Sequence, residues 1–294
     1  MFSIIIPTFN NVKYLKICID SIKRNSTYNH EIIPHVNEGS DGTINYLKEN
    51  NIEFTFTNYN SGICKGMNLA AKKAKTEFIL YAHDDFYFCP NWDLVLKSEL
   101  NKIKHKNFYL SGTMVNNGQI ALDCGSNLET FNEKKLLSEI SSANYYDFQG
   151  STWAPHLIHK ETWNKVGGFS EEFFPGTGSD PDLNMKLWKE GVRIFKGIND
   201  FKVYHFGSIV TRKYKNHPTI KTESGSRGAK IFLLKWGITI KFFKKFILNS
   251  DTQYLGELED PKKNINYFLQ LLLCKLNYLY TKYIYNINNK HNLF

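Results

Sequence analysis

Long hydrophobic runs are missing from this sequence of 294 residues. No stretch reaches the roughly 18 apolar residues that cross a bilayer, and the apolar start at residues 1–7 is too short for a signal peptide. The five cysteines occur singly, without the paired spacing of a zinc site or the even count of a disulfide framework. We therefore expect a cytoplasmic protein with reduced thiols. The hydrophobic content of 42% suffices for one large domain, or for a domain with an extension.

Acidic residues are scarce in one part of the chain. Between Lys202 and Lys245, eleven lysines and arginines accompany a single acid, Glu223, and the whole chain has a net charge of +9. Such a segment attracts the phosphates of nucleotides, lipid head groups or nucleic acids. Signatures of zinc fingers and RNA-binding modules are missing, so we expect no nucleic-acid partner.

Apolar periodicity predicts alternating strands and helices in the first part of the chain. Strand patterns at 2–6, 31–36, 53–57 and 78–82 are each followed by a helical pattern. This alternation is typical of an α/β protein with a parallel, doubly wound sheet. After residue 225 the sequence becomes helical and aromatic. We therefore expect one domain at 1–225 and a helical, aromatic-rich extension at 226–294.

Two adjacent carboxylates, Asp84 and Asp85, come directly after the strand pattern at 78–82. Ligands of open parallel sheets bind outside the carboxyl ends of the strands. Two hard oxygen donors at that point can hold a divalent cation, which in turn can hold a diphosphate. The alternative is that both aspartates only solvate a turn, which is a common role for this residue.

Further motifs accompany these carboxylates in a characteristic order. They are Ser3 to Asn10, Gly39 to Thr43, Asn60 to Asn68, His83-Asp84-Asp85 followed by Pro90-Asn91-Trp92, Gly178 to Leu183, and Val203 to His205. Together they resemble the inverting family 2 glycosyltransferases of the GT-A fold, over roughly residues 1–225. The resemblance implies an α/β fold with a Rossmann-like, mostly parallel sheet flanked by helices, followed by a C-terminal helical extension.

The resemblance also implies roles for single residues. Asp180 stands in the position of the catalytic base, and its alternative role is a helix-capping acid. Asp84, Asp85 and His205 stand at metal-binding positions, for Mn²⁺ or Mg²⁺. A histidine at position 83, where the family usually has an acid, favours manganese. The residues expected to contact the nucleotide sugar are Pro7, Thr8, Asn10, Glu38, Asn60, Gly62, Lys65, His83 and Asp84.

Four other residues are candidates for binding roles. Trp153 and Asp182 are candidates for contact with the acceptor, although Trp153 is equally consistent with a core position. Arg212 and Lys213 belong to a basic loop that could close over the diphosphate, and the alternative is a solvated charged loop. Glu38 follows Asn37 where the family usually has two acids, so the base of the nucleotide stays open.

The motifs predict a metal-dependent inverting glycosyltransferase that moves a sugar from a nucleotide-diphosphate donor to a hydroxyl of a glycan or lipid-linked acceptor. The alternative is a non-catalytic carbohydrate- or nucleotide-sugar-binding protein on the same fold, because His83 and Glu38 depart from the active pattern. The tail at 266–288 mixes leucines with five tyrosines and two lysines. It is consistent with an amphipathic helix on the inner face of a membrane, with packing on the catalytic domain, or with a homodimer contact.

Overall fold

The computed structural model describes residues 1–214 and 225–291. The strands of its central sheet are β1 (Ser3–Phe9), β2 (Glu31–Asn37), β3 (Thr55–Thr57), β4 (Phe78–Tyr81), β5 (Phe86–Phe88), β6 (Phe108–Val115), β7 (Phe148–Gln149), β8 (His156–His159) and β9 (Ile194–His205). Their spatial order is β3-β2-β1-β4-β8-β6-β9-β5, and β7 pairs with β9. The strands of the sheet therefore come from the whole of the sequence between Ser3 and His205.

Helices cover both faces of this sheet. Those in the first part are α1 (Val12–Arg24), α2 (Thr43–Glu49), α3 (Gly62–Lys73), α4 (Trp92–Lys102), α5 (Glu133–Glu139), α6 (Lys160–Val166), α7 (Ser179–Lys189) and α8 (Ile209–Lys213). A 3₁₀ turn, Glu171–Phe173, precedes α7. The later elements are a helix at Gly225–Trp236, a short helix at Ile240–Phe242 that continues into a π-helical turn at Phe243–Ile247, and a C-terminal helix at Ile265–His291.

Most strands of the sheet share one direction. The pairs β1–β2, β2–β3, β1–β4 and β6–β9 are parallel. Strand β8 lies antiparallel between β4 and β6, and β5 and β7 are antiparallel to β9. The expectation of a mostly parallel sheet flanked by helices is confirmed. Because β1 to β4 run the same way, the residues that follow them meet at one edge of the sheet.

Apolar side chains on β1, β4 and α1 fill the space between sheet and helices. Ile5 and Leu80 are fully buried, and α1 buries Leu15, Ile19 and Ile22. These three positions have helical spacing, so they form one face that packs on the sheet. Burying a side chain of this size contributes about 1.5–3 kcal/mol to folding.

The beginning of the C-terminal segment packs on the same core. Phe232, Phe243, Leu248 and Leu258 are buried in one hydrophobic cluster with the residues of the sheet. The predicted boundary near residue 225 is therefore not a boundary in packing, and an independent extension from 226 stays a prediction. Among the described residues, no helix is both long and apolar enough to cross a membrane.

Candidate active site

A cavity of about 280 Å³ opens at the carboxyl edge of the parallel strands. Its walls come from the end of β1, the segment after β4, the loops before α3 and α7, and the beginning of α8. The residues predicted from the sequence that line it are Pro7, Thr8, Asn60, Gly62, His83, Asp84, Asp85 and Asp180. Carboxylates from two distant parts of the sequence therefore face one cleft.

Buried polar side chains hold the turns at this edge together. The Asn37 side chain accepts hydrogen bonds from the backbone N–H and the hydroxyl of Ser61, at 2.7 and 2.9 Å. It also donates to the carbonyl oxygen of Thr8 at 3.4 Å. The Asp41 carboxylate accepts the backbone N–H of Val12 at 2.7 Å. The turn after β2 is thereby tied to the end of β1 and the beginnings of α1 and α3.

Three side chains near the cavity could hold a metal ion. One ligand atom from each of His83, Asp85 and His205 lies within 4.8 Å of the other two. His205 is brought to this place by the pairing of β9 with β5, where it stands opposite Phe86. Its Nε2 lies 3.6 Å from a carboxylate oxygen of Asp85. The separate segments that carry these residues are joined by the sheet.

This donor set fits a divalent transition metal. Burial lowers the pKa of His83 to about 4, so its imidazole is neutral and able to coordinate at pH 7. Burial alone would raise the pKa of Asp85, but its hydrogen bond to His205 and the neighbouring imidazoles lower it overall. Two imidazoles and one ionised carboxylate suit Mn²⁺ better than Mg²⁺, which prefers oxygen ligands.

Asp84 has a different position from the one expected. It lines the cavity but is not a member of the group formed by His83, Asp85 and His205. One of its carboxylate oxygens is buried without a hydrogen-bond partner among the described residues. Burial and the negative charge of Asp85 raise the pKa of Asp84 to about 8. The geometry thus favours His83 over Asp84 as a ligand, and it leaves Asp84 with an unused acceptor or donor atom in the cavity.

Asp180 lies in the first turn of α7 and faces the cavity. One of its carboxylate oxygens is buried and has no hydrogen-bond partner among the described residues. Burial raises its pKa to about 7, although a backbone hydrogen bond acts in the opposite direction. The helix begins after Gly178 without a side-chain capping hydrogen bond, and Asp180 is one of two acids in its first turn. A carboxyl group with this pKa can accept a proton near neutral pH.

Asp182, the second acceptor candidate, does not reach the cavity. Its side chain is fully buried, and its two oxygens accept hydrogen bonds from the Ser170 hydroxyl at 2.6 Å and from the Trp236 indole N–H at 2.7 Å. Lys235 completes this group with an ion pair at 3.0 Å. Asp182 therefore lies outside the cavity wall, and its contact with the acceptor stays a prediction.

The remaining predicted residues lie outside the cavity wall. Trp153 stacks on Phe148, with ring centroids 5.6 Å apart, and therefore has a packing role. Arg212 donates to the carbonyl of Phe206 at 2.8 Å. Lys213 donates to the carbonyl of Asn10 at 3.4 Å, so α8 reaches the turn after β1.

Two predicted nucleotide contacts interact with each other and a third lies on the surface. The Asn10 amide donates to the Glu38 carboxylate at 3.4 Å. Lys65 donates to the hydroxyl of Tyr59 at 2.9 Å on the surface. None of these three residues belongs to the cavity wall, although their chain segments lie at the same edge of the sheet.

The structure adds cavity residues that the sequence motifs did not single out. Tyr81 lines the cavity, and its hydroxyl lies 2.8 Å from Nε2 of His83. The loop at 175–177 and the segment at 208–210 form the opposite wall. The only available signal for 175–177 was its place just before Asp180. Tyr81 carried no signal beyond that of a strand residue.

Comparison with solved structures identifies the fold of this chain. The chain has the fold of the GT-A glycosyltransferases: the crystal structure of S. aureus TarS 1-349 in complex with UDP-GlcNAc matches with a TM-score of 0.55 at 14% identity, over 86% of this chain and 68% of that chain. The structure of GalNAc-T7 with UDP, GalNAc and Mn2+ matches with a TM-score of 0.54 at 12% identity, over 81% of this chain and 50% of that chain.

The sequence comparison gives a family match over part of the chain. Residues 3–122 match the model of the family described as Glycosyl transferase family 2. Hyaluronan synthase of Pasteurella multocida is 25% identical over 272 residues, which are 88% of this chain and 26% of that protein. Chondroitin synthase of the same species (strain Pm70) is 27% identical over 240 residues, 77% of this chain and 23% of that protein. The chain thus spans about a quarter of the length of these relatives.

Proposed function

We propose that this chain is a metal-dependent, inverting glycosyltransferase that moves a sugar from a UDP-sugar to a hydroxyl group of a glycan or lipid-linked acceptor. One observation carries the proposal. Asp180, which has a buried carboxylate oxygen without a hydrogen-bond partner among the described residues, lines the same cavity as His83 and Asp85, two members of the candidate metal group. A proton acceptor and a candidate cation site thereby share one cleft, as a single-displacement reaction requires.

The choice of donor and acceptor is supported by the similar proteins. TarS was crystallised with UDP-GlcNAc, and GalNAc-T7 with UDP and Mn2+. The two relatives named above are synthases of glycan polymers, hyaluronan and chondroitin. UDP-sugars are therefore the first donors to test, and a growing glycan is the first class of acceptor.

The residues divide the work in the proposed mechanism. His83, Asp85 and His205 would hold the cation, which when bound supplies positive charge for the departing diphosphate. Asp180 takes the proton from the acceptor hydroxyl while that oxygen forms a bond to the anomeric carbon. The bond from this carbon to the diphosphate breaks, its electron pair leaves with the diphosphate, and attack from the opposite face inverts the configuration. Tyr81 orients His83 through the contact between its hydroxyl and Nε2.

The test combines binding with product analysis. The melting temperature is measured with UDP-, GDP-, CDP- and dTDP-sugars, each with Mn²⁺ and with excess chelator. We expect UDP-sugars to raise it only when metal is present, because a ligand of the folded state stabilises that state. Early ¹H NMR spectra of donor hydrolysis then report the anomer released, which should be inverted relative to the donor.

Two results would contradict the proposal. Binding of a nucleotide sugar without any consumption, with or without added glycan acceptors, would favour a non-catalytic binding protein. Release of the same anomer as in the donor would contradict single displacement and remove Asp180 from the role of base.

A further inference from the structure

The C-terminal helix Ile265–His291 has two apolar faces, of which one packs on the protein. Cys274 is buried on the inner side, and Tyr267 contacts the ring of Phe242 with centroids 5.1 Å apart. Tyr267 and Cys274 are seven residues apart, which places them on the same side of the helix. This side attaches the helix to the segment around Phe242.

The opposite side carries large apolar residues that no described residue covers. We call it the outer face, and its principal members are Phe268, Leu269, Leu272, Leu276, Leu279 and Tyr283. Their exposed fractions lie between 52% and 64%. At about 100° per residue these positions form one stripe opposite Cys274. The stripe is roughly 22 Å long from 268 to 283, since a helix rises about 1.5 Å per residue. An apolar patch of this extent on a protein surface marks an interaction site.

The charge of the surrounding residues indicates which kind of partner the outer face binds. Residues 261–294 contain no aspartate or glutamate, whereas they contain five lysines, at positions 262, 263, 275, 282 and 290. Lys275 and Lys282 are seven residues apart and flank the outer face along one side. Two copies of the chain that paired antiparallel through this face would bring these positive charges together, which is unfavourable. An anionic lipid surface offers opposite charge and an apolar layer at the same time.

The kind of residue on the outer face points the same way. Leucines supply the apolar area, and tyrosines such as Tyr280 and Tyr283 are 66% and 64% exposed. Tyrosine rings favour the boundary between head groups and acyl chains, where one end is apolar and the other wet. Since no described helix is able to cross a membrane, the expected position is flat in the interface.

We propose that the outer face of the C-terminal helix binds the surface of an anionic lipid bilayer, with the leucines in the interface and Lys275 and Lys282 at the phosphates. This binding does not depend on the proposed sugar transfer, because the helix is attached through its inner side and the cavity lies elsewhere on the sheet.

The test is vesicle flotation with the full chain. Vesicles of phosphatidylcholine with one quarter phosphatidylglycerol are compared with pure phosphatidylcholine, at 50 and 500 mM salt. We expect the wild type to float with the anionic vesicles and to be released at high salt. The triple variant Leu272→Gln, Leu276→Gln, Leu279→Gln should lose at least ~10-fold in partitioning, since three apolar side chains leave the interface. Lys275→Gln with Lys282→Gln should lose about tenfold on anionic vesicles only.

A matched control uses exposed polar positions of the same helix, Asn266→Ser with Gln270→Ser, which should float like the wild type. All variants change exposed side chains, so an unchanged melting temperature checks that each is folded. Equal flotation of the triple variant and the wild type would overturn the proposal. So would a wild type that ignores both vesicles and sediments as a dimer, if the triple variant sediments as a monomer. That result would assign the outer face to a second copy.

Discussion

Asp180 is the most informative single residue, because a buried carboxylate oxygen without a hydrogen-bond partner among the described residues is costly. This oxygen, the raised pKa of Asp180 and its place in the cavity are consistent with the proposed role of proton acceptor. Asp182, only two residues later, has the opposite character, since its oxygens are occupied by Ser170, Lys235 and Trp236. Neighbouring acids on one helix thus have separate roles.

The first prediction concerns Asp180 and pH. Its pKa is about 7 in the folded chain, whereas the ordinary pKa of an aspartate, 3.8, applies to the unfolded chain. Between these values the folded state holds a proton that the unfolded state has released, so the wild type loses stability as pH rises from about 4 to about 7. Asparagine does not titrate. We expect Asp180→Asn to gain at least ~1 kcal/mol of unfolding free energy over the wild type when pH is raised from 5 to 8.

Urea unfolding at both pH values measures this difference. The control is Asp20→Asn, which changes an exposed carboxylate on α1 and should show no such gain. An Asp180→Asn variant whose advantage is the same at pH 5 and pH 8 would show that the carboxyl group is not held in its protonated form by burial.

The second prediction concerns the metal. His83→Ala should weaken Mn²⁺ binding by at least ~10-fold, because it removes one of three clustered ligands. His83→Asp restores the acid usual in the family and should shift preference from Mn²⁺ towards Mg²⁺, since oxygen replaces nitrogen. Isothermal titration calorimetry with each metal measures both effects. His105→Asn, at a histidine on the surface, is the control. Unchanged Mn²⁺ affinity in His83→Ala would exclude His83 from the metal group.

Which residues form the site could be predicted only in part. The motifs predicted that Asp85, His205 and Asp180 lie at the same edge of the sheet, where the ends of parallel strands meet. Whether His83 or Asp84 turns towards His205 depends on the backbone conformation after β4. The alternation of side chains along a strand does not predict it, because the strand has already ended. The partners of Asp182 were likewise not predictable from the sequence, since Trp236 follows 54 residues later in the chain.

At the scale of helices and strands, close packing positions the site. The contact between α3 and β2 is the clearest example. Gly66 of α3 faces His35 of β2, and a Cβ added at Gly66 would lie 2.4 Å from Cδ2 of His35. His35 is unable to move freely, because its imidazole contacts the hydroxyls of Thr55 and Ser61 at 2.8 and 3.2 Å. Helix α3 begins at the cavity, so this contact sets its distance from the sheet.

The third prediction follows from that contact. Alanine is favoured over glycine inside a helix by up to about 1 kcal/mol. At Gly66 the clash outweighs this preference, so Gly66→Ala should lower the free energy of unfolding by about 1–3 kcal/mol. The measurement is urea unfolding, with Lys72→Ala on the exposed side of the same helix as control. A Gly66→Ala variant that is more stable than the wild type would contradict the packing described for α3 and β2.

Elements themselves were the most predictable level. The alternation of strand and helix up to β4 follows from apolar periodicity and is confirmed, whereas the short strand β5 between β4 and α4 was not predicted. The insertion of β8 between β4 and β6 was not predictable, because its four residues, His156–His159, carry no signal of direction or neighbour. The strand order in the mixed half of the sheet is therefore known only from the structure.

At the scale of the whole molecule, the described residues at 1–214 and 225–258 form one packed unit. The isolated bridge between Phe148 and Gln253 joins the C-terminal segment to the sheet, and Phe243 and Leu258 lie in its core. Trp236 also supports α7 through Asp182, and α7 carries Asp180. The C-terminal segment therefore supports the helix that carries a residue of the candidate active site.

The fourth prediction is that the molecule unfolds in one cooperative step. Tryptophan fluorescence reports on Trp236 and the other indoles, and far-ultraviolet circular dichroism reports on all helices. The two urea transitions should coincide, because the segment shares its core with the sheet. An early, separate helical transition that involves more than the C-terminal helix would support an independent extension from residue 226 instead.

The most direct test of the whole account separates binding from chemistry in Asp180→Asn. Affinity for a UDP-sugar with Mn²⁺ and the rate of its consumption are measured on the same preparations of wild type and variant. We predict that affinity stays within about threefold, while the rate falls by at least ~10²-fold, the usual contribution of a general base. A folded variant that keeps near-normal turnover would contradict the account.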